Sequence, residues 1–471
     1  MNEKTTFYGV ILRRFFNIFR DISYHGVPIC KFVYYQVLNF FNDSQNINLA
    51  RTLLPYWEES VESLHNTQIY QWIDEPYPYD AHPNGLILMR GGFGDIASAH
   101  LPRERFVLIS PNQTEVDVIK LNRPDLTARN ISDFYYENPS AVKKLNREVS
   151  QVIQAQKGDP FLGSPDFERW FHEKMPEIVG YLDAVQSLFQ SAEFGAVLTV
   201  SSLYSMDGAL NLIARANRIP SFTLQHGIIA ESDLFCHIPI LATKKMVWGA
   251  AIKNWYRKFG FPESRLSVVG SPRFDIVFNR KWCGPARLRE ILGIDPAQKV
   301  AVYAAQIFRY AKTITPVILE GLRSIPDLFL VILLHPGENP LLHEQIAAGY
   351  PNCRVVRFGH ISLYDALSGA DLFLTYYSTA ALEAMFFKLP VITVEPITPT
   401  FSFGILGASV RVINAAHLNE VVRHLLADEN YRNGIVNQYR EFLADFCIPD
   451  GSASKRLFDE MDSFCRTGGI A

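Results

Sequence analysis

From about residue 196 onward the chain repeats one local theme: a short apolar run, a loop, then an amphipathic stretch. Runs of this kind occupy residues 196–200, 221–224, 245–248 and 266–269, and again 300–303, 328–334, 353–358, 371–375, 390–394 and 409–413. Each is short enough for a strand buried on both faces, and the stretches between them, such as 207–217 and 250–259, carry apolar residues at helical spacing. Strands that alternate with helices imply parallel sheets with helical crossovers. The rhythm breaks at Gly270-Ser271-Pro272-Arg273, and residues 279–285 read as an interdomain linker. A chain of 471 residues exceeds one ordinary core, so two α/β domains are expected.

Upstream the pattern differs. The first eighty residues are helical in pattern and end in the turn-rich Glu75-Pro76-Tyr77-Pro78 and His82-Pro83-Asn84-Gly85. Strands are expected at 85–89, 105–110 and 116–121, and mostly helix over 132–191. The expected division is a helical region at 1–80, an α/β domain at 81–278, a second at 286–440, and C-terminal helices at 441–471 that cross back onto the first domain. Near the N-terminus Phe7, Val10, Ile11, Phe15, Ile18, Phe19 and Ile22 recur at helical spacing among Arg13, Arg14 and Arg20. Either residues 5–41 rest on an anionic membrane surface, or these are core helices of the fold.

A net charge of −3 and a pI near 6.5 give no case for nucleic acid as a partner. The six cysteines lack CxxC or zinc-type spacing, which fits reduced thiols in a cytoplasmic protein and gives no metal site. No stretch is long and apolar enough to span a bilayer.

Two loops carry the chemistry of the second domain. His335-Pro336 follows the run 328–334, and Ser378-Thr379 follows 371–375 and opens a helix bearing Glu383. Strand ends in open parallel sheets and free N–H groups at helix starts favour phosphate. His335, Ser378 and Thr379 are therefore expected to hold a nucleotide phosphate, stiffened by Pro336, with Glu383 accepting from ribose hydroxyls. In the first domain Gln225-His226-Gly227 ends a strand; His226 is a general base, a donor contact or a satisfied loop histidine. Asp207 opens a helix and is either its N-cap or a base. Gly91-Gly92-Phe93-Gly94-Asp95 is a glycine-rich turn with no helix expected directly behind it. Gly92, Gly94 and Asp95 are an acceptor-side loop or a plain turn.

Thr223-Leu224-Gln225-His226-Gly227, Val247-Trp248-Gly249 and Val269-Gly270-Ser271-Pro272-Arg273-Phe274-Asp275 together resemble a run in bacterial surface-polysaccharide glycosyltransferases of the GT-B type. His335-Pro336, Ser378-Thr379 and Glu383-Ala384-Met385 with Leu389-Pro390-Val391-Ile392 resemble their donor-binding half, most closely in sialyl-, polysialyl- and Kdo-transferases and teichoic-acid glycerophosphotransferases. The resemblance covers roughly residues 195–450. It implies two Rossmann-like domains facing across a cleft and a nucleotide-activated sugar, such as a CMP-linked one, as substrate rather than cofactor. It also implies a polysaccharide or glycolipid acceptor, no metal, and work in the cytoplasm at the inner face of the cell membrane. His226 or Asp207 would supply the base. Two positions depart from the family: Lys388 stands where it has glycine, which is expected to change the turn that ends the Glu383 helix, and Leu333 where a lysine often precedes His-Pro. A sugar-nucleotide 2-epimerase shares the fold, and a non-catalytic nucleotide-binding subunit of a polysaccharide assembly complex is a third reading.

Overall fold

The computed structural model describes residues 3–53, 77–229, 234–306, 310–335, 337–357, 359–399 and 401–470. The chain forms two compact units, one of Met1–Pro272 with Ser452–Ala471, the other of Arg273–Gly451.

The first unit is built on a parallel sheet of seven strands: β1 (Leu86–Arg90), β2 (Phe106–Ser110), β3 (Ala128–Asn130), β4 (Phe194–Thr199), β5 (Ser221–Leu224), β6 (Lys244–Val247) and β7 (Leu266–Val268). Their spatial order is β7-β6-β5-β4-β1-β2-β3. All neighbours run parallel. The order reverses direction between β1 and β4, the topological switch of a doubly wound sheet. Apolar alternation is weak in these strands because both faces are covered. One face packs Met89, Leu108, Leu198, Phe222 and Met246 against Leu457, Phe458 and Met461 of the helix Ala453–Thr467. The C-terminal helix is thus part of the first unit's core, whereas the helix Glu429–Phe446 belongs to the second.

The N-terminal aromatic stripe is also core. Phe7, Val10, Ile11, Phe15 and Phe19 of the helix Glu3–Phe19 are buried. Phe15 and Phe19 meet Phe171 with ring centroids 6.1 and 5.3 Å apart, and Phe41 stacks on Phe167 at 5.5 Å. The face that would enter lipid is occupied by the helix Pro165–Gln190, so the apolar anchor expected for a membrane surface is absent among these residues. No helix among the described residues is long and apolar enough to cross a membrane.

The second unit has six parallel strands: β8 (Lys299–Ala304), β9 (Leu328–Leu333), β10 (Cys353–Val356), β11 (Leu372–Thr375), β12 (Val391–Val394) and β13 (Val410–Val412). They are ordered β10-β9-β8-β11-β12-β13, the arrangement of a dinucleotide-binding fold. Its core joins Tyr303, Leu330, Ile332, Leu374 and Ile392 to Ile314, Ile318 and Leu418 of flanking helices.

Three local expectations fail for identifiable reasons. Residues 116–121 are not a strand but part of the helix Gln113–Asn122, started by the Asn112 side chain accepting from the Glu115 N–H at 2.9 Å. The step between units falls at Pro272 and Arg273, not at 279–285, because residues 273–285 already cluster with the second unit. Lys388 does not alter the turn: its backbone adopts φ 57°, the left-handed conformation that glycine would take. The Lys388 N–H still donates to Met385 O at 3.0 Å and the Leu389 N–H to Ala384 O at 3.1 Å. Since the Lys388 side chain is exposed, Lys388→Gly should relieve the strain with no lost packing. We expect about 0.5–1 kcal/mol of stabilisation, after the added freedom of the unfolded chain is deducted. A rise in thermal midpoint checks this.

Candidate active site

In the second unit the carboxyl ends of β8, β9 and β11 surround a cavity of about 600 Å³. Ala304 and Ala305 line it from β8, Leu333, Leu334 and His335 from β9, and Ser378, Ala380 and Glu383 from the segment after β11. This is the switch point of the sheet, where strand order reverses between β8 and β11, and where open α/β sheets receive ligands.

His335 is exposed, and its Nδ1 accepts from the Gly337 N–H at 3.3 Å. That bond assigns the proton of the neutral ring to Nε2, which leaves an N–H donor free for an anion. The loop behind it is fixed by a buried pair, His343 Nε2 to Glu338 Oε2 at 2.8 Å. Ser378 lines the cavity and its Oγ accepts from the Ala380 N–H at 3.2 Å, so its hydroxyl hydrogen remains available. Thr379 caps the helix Ala380–Phe386 by position, makes no side-chain capping bond, and is not among the residues that line the cavity. Pro336 lies outside the described residues.

Glu383 is buried, with 1 % of its surface exposed. Arg273 Nη2 donates to both carboxylate oxygens at 2.8 and 2.9 Å, and the Tyr364 hydroxyl donates to Oε1 at 2.8 Å. Burial, then the Glu383 charge, pushes the Tyr364 phenol above its ordinary pKa, so it stays a donor. The sequence reading assigned no role to Arg273 or Tyr364. Arg273 stands in the Gly-Ser-Pro-Arg turn, but its pairing with a carboxylate 110 residues away has no local signal. With its side chain half exposed in the cavity wall, Arg273 adds a fixed cation beside His335 and Ser378.

In the first unit Asp207, on the helix Ser205–Ala216, is fully buried. Its Oδ1 accepts from Arg90 Nη1 at 2.9 Å, and its Oδ2 accepts from the Val200 and Ser201 N–H groups at 3.1 and 3.2 Å. It therefore does not cap its own helix; it ties the end of β4 to β1. Burial raises its pKa, with Arg90 and the two N–H groups opposing. His226 is exposed, two residues past β5, with Nδ1 3.1 Å from the Val200 carbonyl. The neutral ring then donates through Nδ1–H and keeps the Nε2 lone pair open. Crowding by protein atoms, then the Lys245 charge, lowers its pKa.

The Gly91–Phe93 turn is followed at once by a short helix, Gly94–Ser98, contrary to expectation. Gly91 and Gly94 serve packing, since a Cβ would come within 2.6 Å of Ser110 Oγ and 2.9 Å of Leu108 Cδ1 respectively. Gly92 faces open space, and exposed Asp95 is bonded by Arg123 at 2.8 Å.

No protein-family model and no curated protein sequence matches the chain. Solved structures do. UDP-GlcNAc 2-epimerase from Neisseria meningitidis is 13 % identical over 80 % of this chain and 98 % of its own, with TM-score 0.53. The UDP-GlcNAc 2-epimerase from Methanocaldococcus jannaschii is 14 % identical over 80 % and 99 %, with TM-score 0.51. A glycosyltransferase from Rickettsia africae is 11 % identical over 82 % and 100 %, with TM-score 0.51. At such identity the similarity carries the fold: two Rossmann-like units of the GT-B type.

Proposed function

We propose that the protein is a glycosyltransferase that moves a sugar from a nucleotide-activated donor to a hydroxyl of a polysaccharide or glycolipid. The observation that carries this reading is the cavity at the second unit's switch point, where Arg273, His335 and Ser378 offer donors beside a clamped carboxylate. These groups suit a nucleotide phosphate that leaves with extra negative charge, and they would stabilise it most as the bond breaks. Glu383 keeps lone pairs for ribose hydroxyls although Arg273 and Tyr364 already occupy it. The first unit contributes His226 as the base that takes the acceptor proton at Nε2. Asp207, enclosed by Arg90 and two backbone N–H groups, positions the β4 loop on which His226 leans and does not itself touch substrate.

The 2-epimerase reading is supported by neighbours of that activity sharing the fold. One assay separates the two. Purified protein is incubated with CMP- and UDP-linked sugars, with and without acceptor glycan, in buffer with EDTA. Transfer predicts nucleotide release that depends on acceptor and survives EDTA, since Arg273 supplies a cation and His335 an N–H donor. Epimer formation without acceptor, and no nucleotide release, would replace transferase by epimerase.

A further inference from the structure

The first unit holds a cavity of about 710 Å³ that the proposed chemistry does not use. One wall is the segment that leaves β3 through the turn Ile131–Phe134 and enters the helix Pro139–Ala155. The other is the middle of the helix Pro165–Gln190, at Pro176, Val179 and Gly180. The first wall is locked in place. Asn138 caps the helix it precedes by accepting from the Ala141 N–H at 3.2 Å. Its Nδ2 donates to the Tyr24 hydroxyl at 3.0 Å and to the buried Asp183 carboxylate at 3.1 Å. The Tyr135 ring lies against Gly180, where a Cβ would come within 2.8 Å of Tyr135 Cε1, and meets the Tyr181 ring at 5.4 Å.

Two aromatic rings, an apolar floor and one unmet polar atom meet in this cavity. Tyr135 and Tyr136 keep 40 and 50 % of their surface exposed, and Val142, Pro176 and Val179 line the same space. Asn146 lines it too, and its Oδ1 is buried with no hydrogen-bond partner among the described residues. Such atoms are uncommon, because each forfeits the hydrogen bond it made to water. Glu137 and Lys143 are exposed lining residues of opposite sign, so the lining has no net charge. That favours a neutral ligand over an anion. A saccharide fits every one of these features. The faces of its rings are C–H surface that packs on tyrosine, and its hydroxyls both donate and accept, which satisfies an amide whichever way it is turned. An acyl chain would cover the apolar floor but seal the Asn146 amide from water without a partner.

The cavity lies on the side of the sheet that carries His226. Its first wall follows the carboxyl end of β3, as His226 follows that of β5. Glu177, between Pro176 and Val179, accepts from Ser205 Oγ at 2.8 Å, and the Tyr204 ring beside Ser205 stands 6.5 Å from the His226 ring. Neither Tyr204 nor His226 lines the cavity. β3 is four strand spacings from β5, on the order of 20 Å. We propose that this cavity is a saccharide subsite that holds a sugar unit of the acceptor remote from the hydroxyl that reacts. Tyr135 and Tyr136 pack on the faces of the sugar, and Asn146 bonds its hydroxyls. Only the word acceptor rests on the transferase reading.

Full-length protein without nucleotide is applied to an array of neutral and acidic bacterial oligosaccharides. Binders are then titrated by calorimetry, with decanoate as the apolar probe. At least one oligosaccharide is expected to bind, and Tyr135→Ala and Asn146→Leu each to weaken it by about tenfold or more. Asn146→Leu should also keep or raise the thermal midpoint of the free protein, because it removes an unpartnered buried polar atom. A residue that only supported the fold would lower it. Should Tyr135→Ala not fold, Asn146→Leu carries the test. No oligosaccharide bound, binding that a folded Asn146→Leu leaves intact, or decanoate bound in place of saccharide would overturn the subsite. Nucleotide is absent throughout, so failure here cannot be confused with failure of the transferase reading.

Discussion

Replacing His226 by alanine should lower the transfer rate by about 10²–10⁴-fold and leave nucleotide affinity nearly unchanged. The two halves of that expectation have separate origins. His226 lies in the first unit, with Nδ1 directed to the Val200 carbonyl at 3.1 Å, so Nε2 is the free basic nitrogen. The proposed nucleotide contacts belong to the second unit. The pH dependence follows from the depressed pKa of the ring. Its neutral, basic form persists below the ordinary histidine midpoint of about 6.5, because protein atoms around it and then Lys245 disfavour the cation. kcat/KM, which reports the free enzyme, should therefore rise with pH through a midpoint below 6.5 and be level at neutrality. His226→Ala should lose this limb together with the rate. Near-full transfer by the variant would place the base elsewhere.

Arg90→Met is expected to destabilise the fold by roughly 3–5 kcal/mol, because it leaves a buried carboxylate without its cation. Asp207 is fully buried, and its remaining partners would be two neutral N–H groups. The pH dependence has a definite sign. Burial already raises the Asp207 pKa in the intact protein, and loss of Arg90 raises it further. A carboxyl whose folded pKa exceeds its unfolded value favours folding while protonated, and that contribution is lost as pH rises. The deficit of the variant should therefore narrow as the pH is lowered towards 4 and be full at 7. Urea titrations at both values check this, and adding Asp207→Leu to Arg90→Met should recover much of the loss. A deficit below about 1 kcal/mol at pH 7 would mean that the pair does not hold β1 to β4 as described.

The α/β architecture could be read because parallel strands buried on both faces are short uninterrupted apolar runs, and those of the second unit fall within a few residues of the expected positions. The segment 116–121 was misleading: Val116, Val118 and Ile119 look like a strand unless Asn112 is recognised as a helix cap. His335 and Ser378 could be found because strand ends before helices are visible locally, and both line one cavity. Arg273 and Tyr364 could not, since their roles arise from pairing with Glu383 across 110 and 19 residues. Asp207 was ambiguous for a related reason. A carboxylate near a helix start has the same sequence signature whether it caps that helix, faces solvent or, as here, is enclosed by an arginine from another strand.

The central claim is that nucleotide binds at the carboxyl ends of β8, β9 and β11. Calorimetric titration of the intact protein and His335→Ala with CMP, CDP and UDP tests it most directly. At least one nucleotide is expected to bind the intact protein, and the variant to bind it about 1–3 kcal/mol more weakly, the loss of one charge-assisted hydrogen bond. Equal affinity of a folded His335→Ala for that nucleotide, or no binding of any of the three to the intact protein, would contradict it.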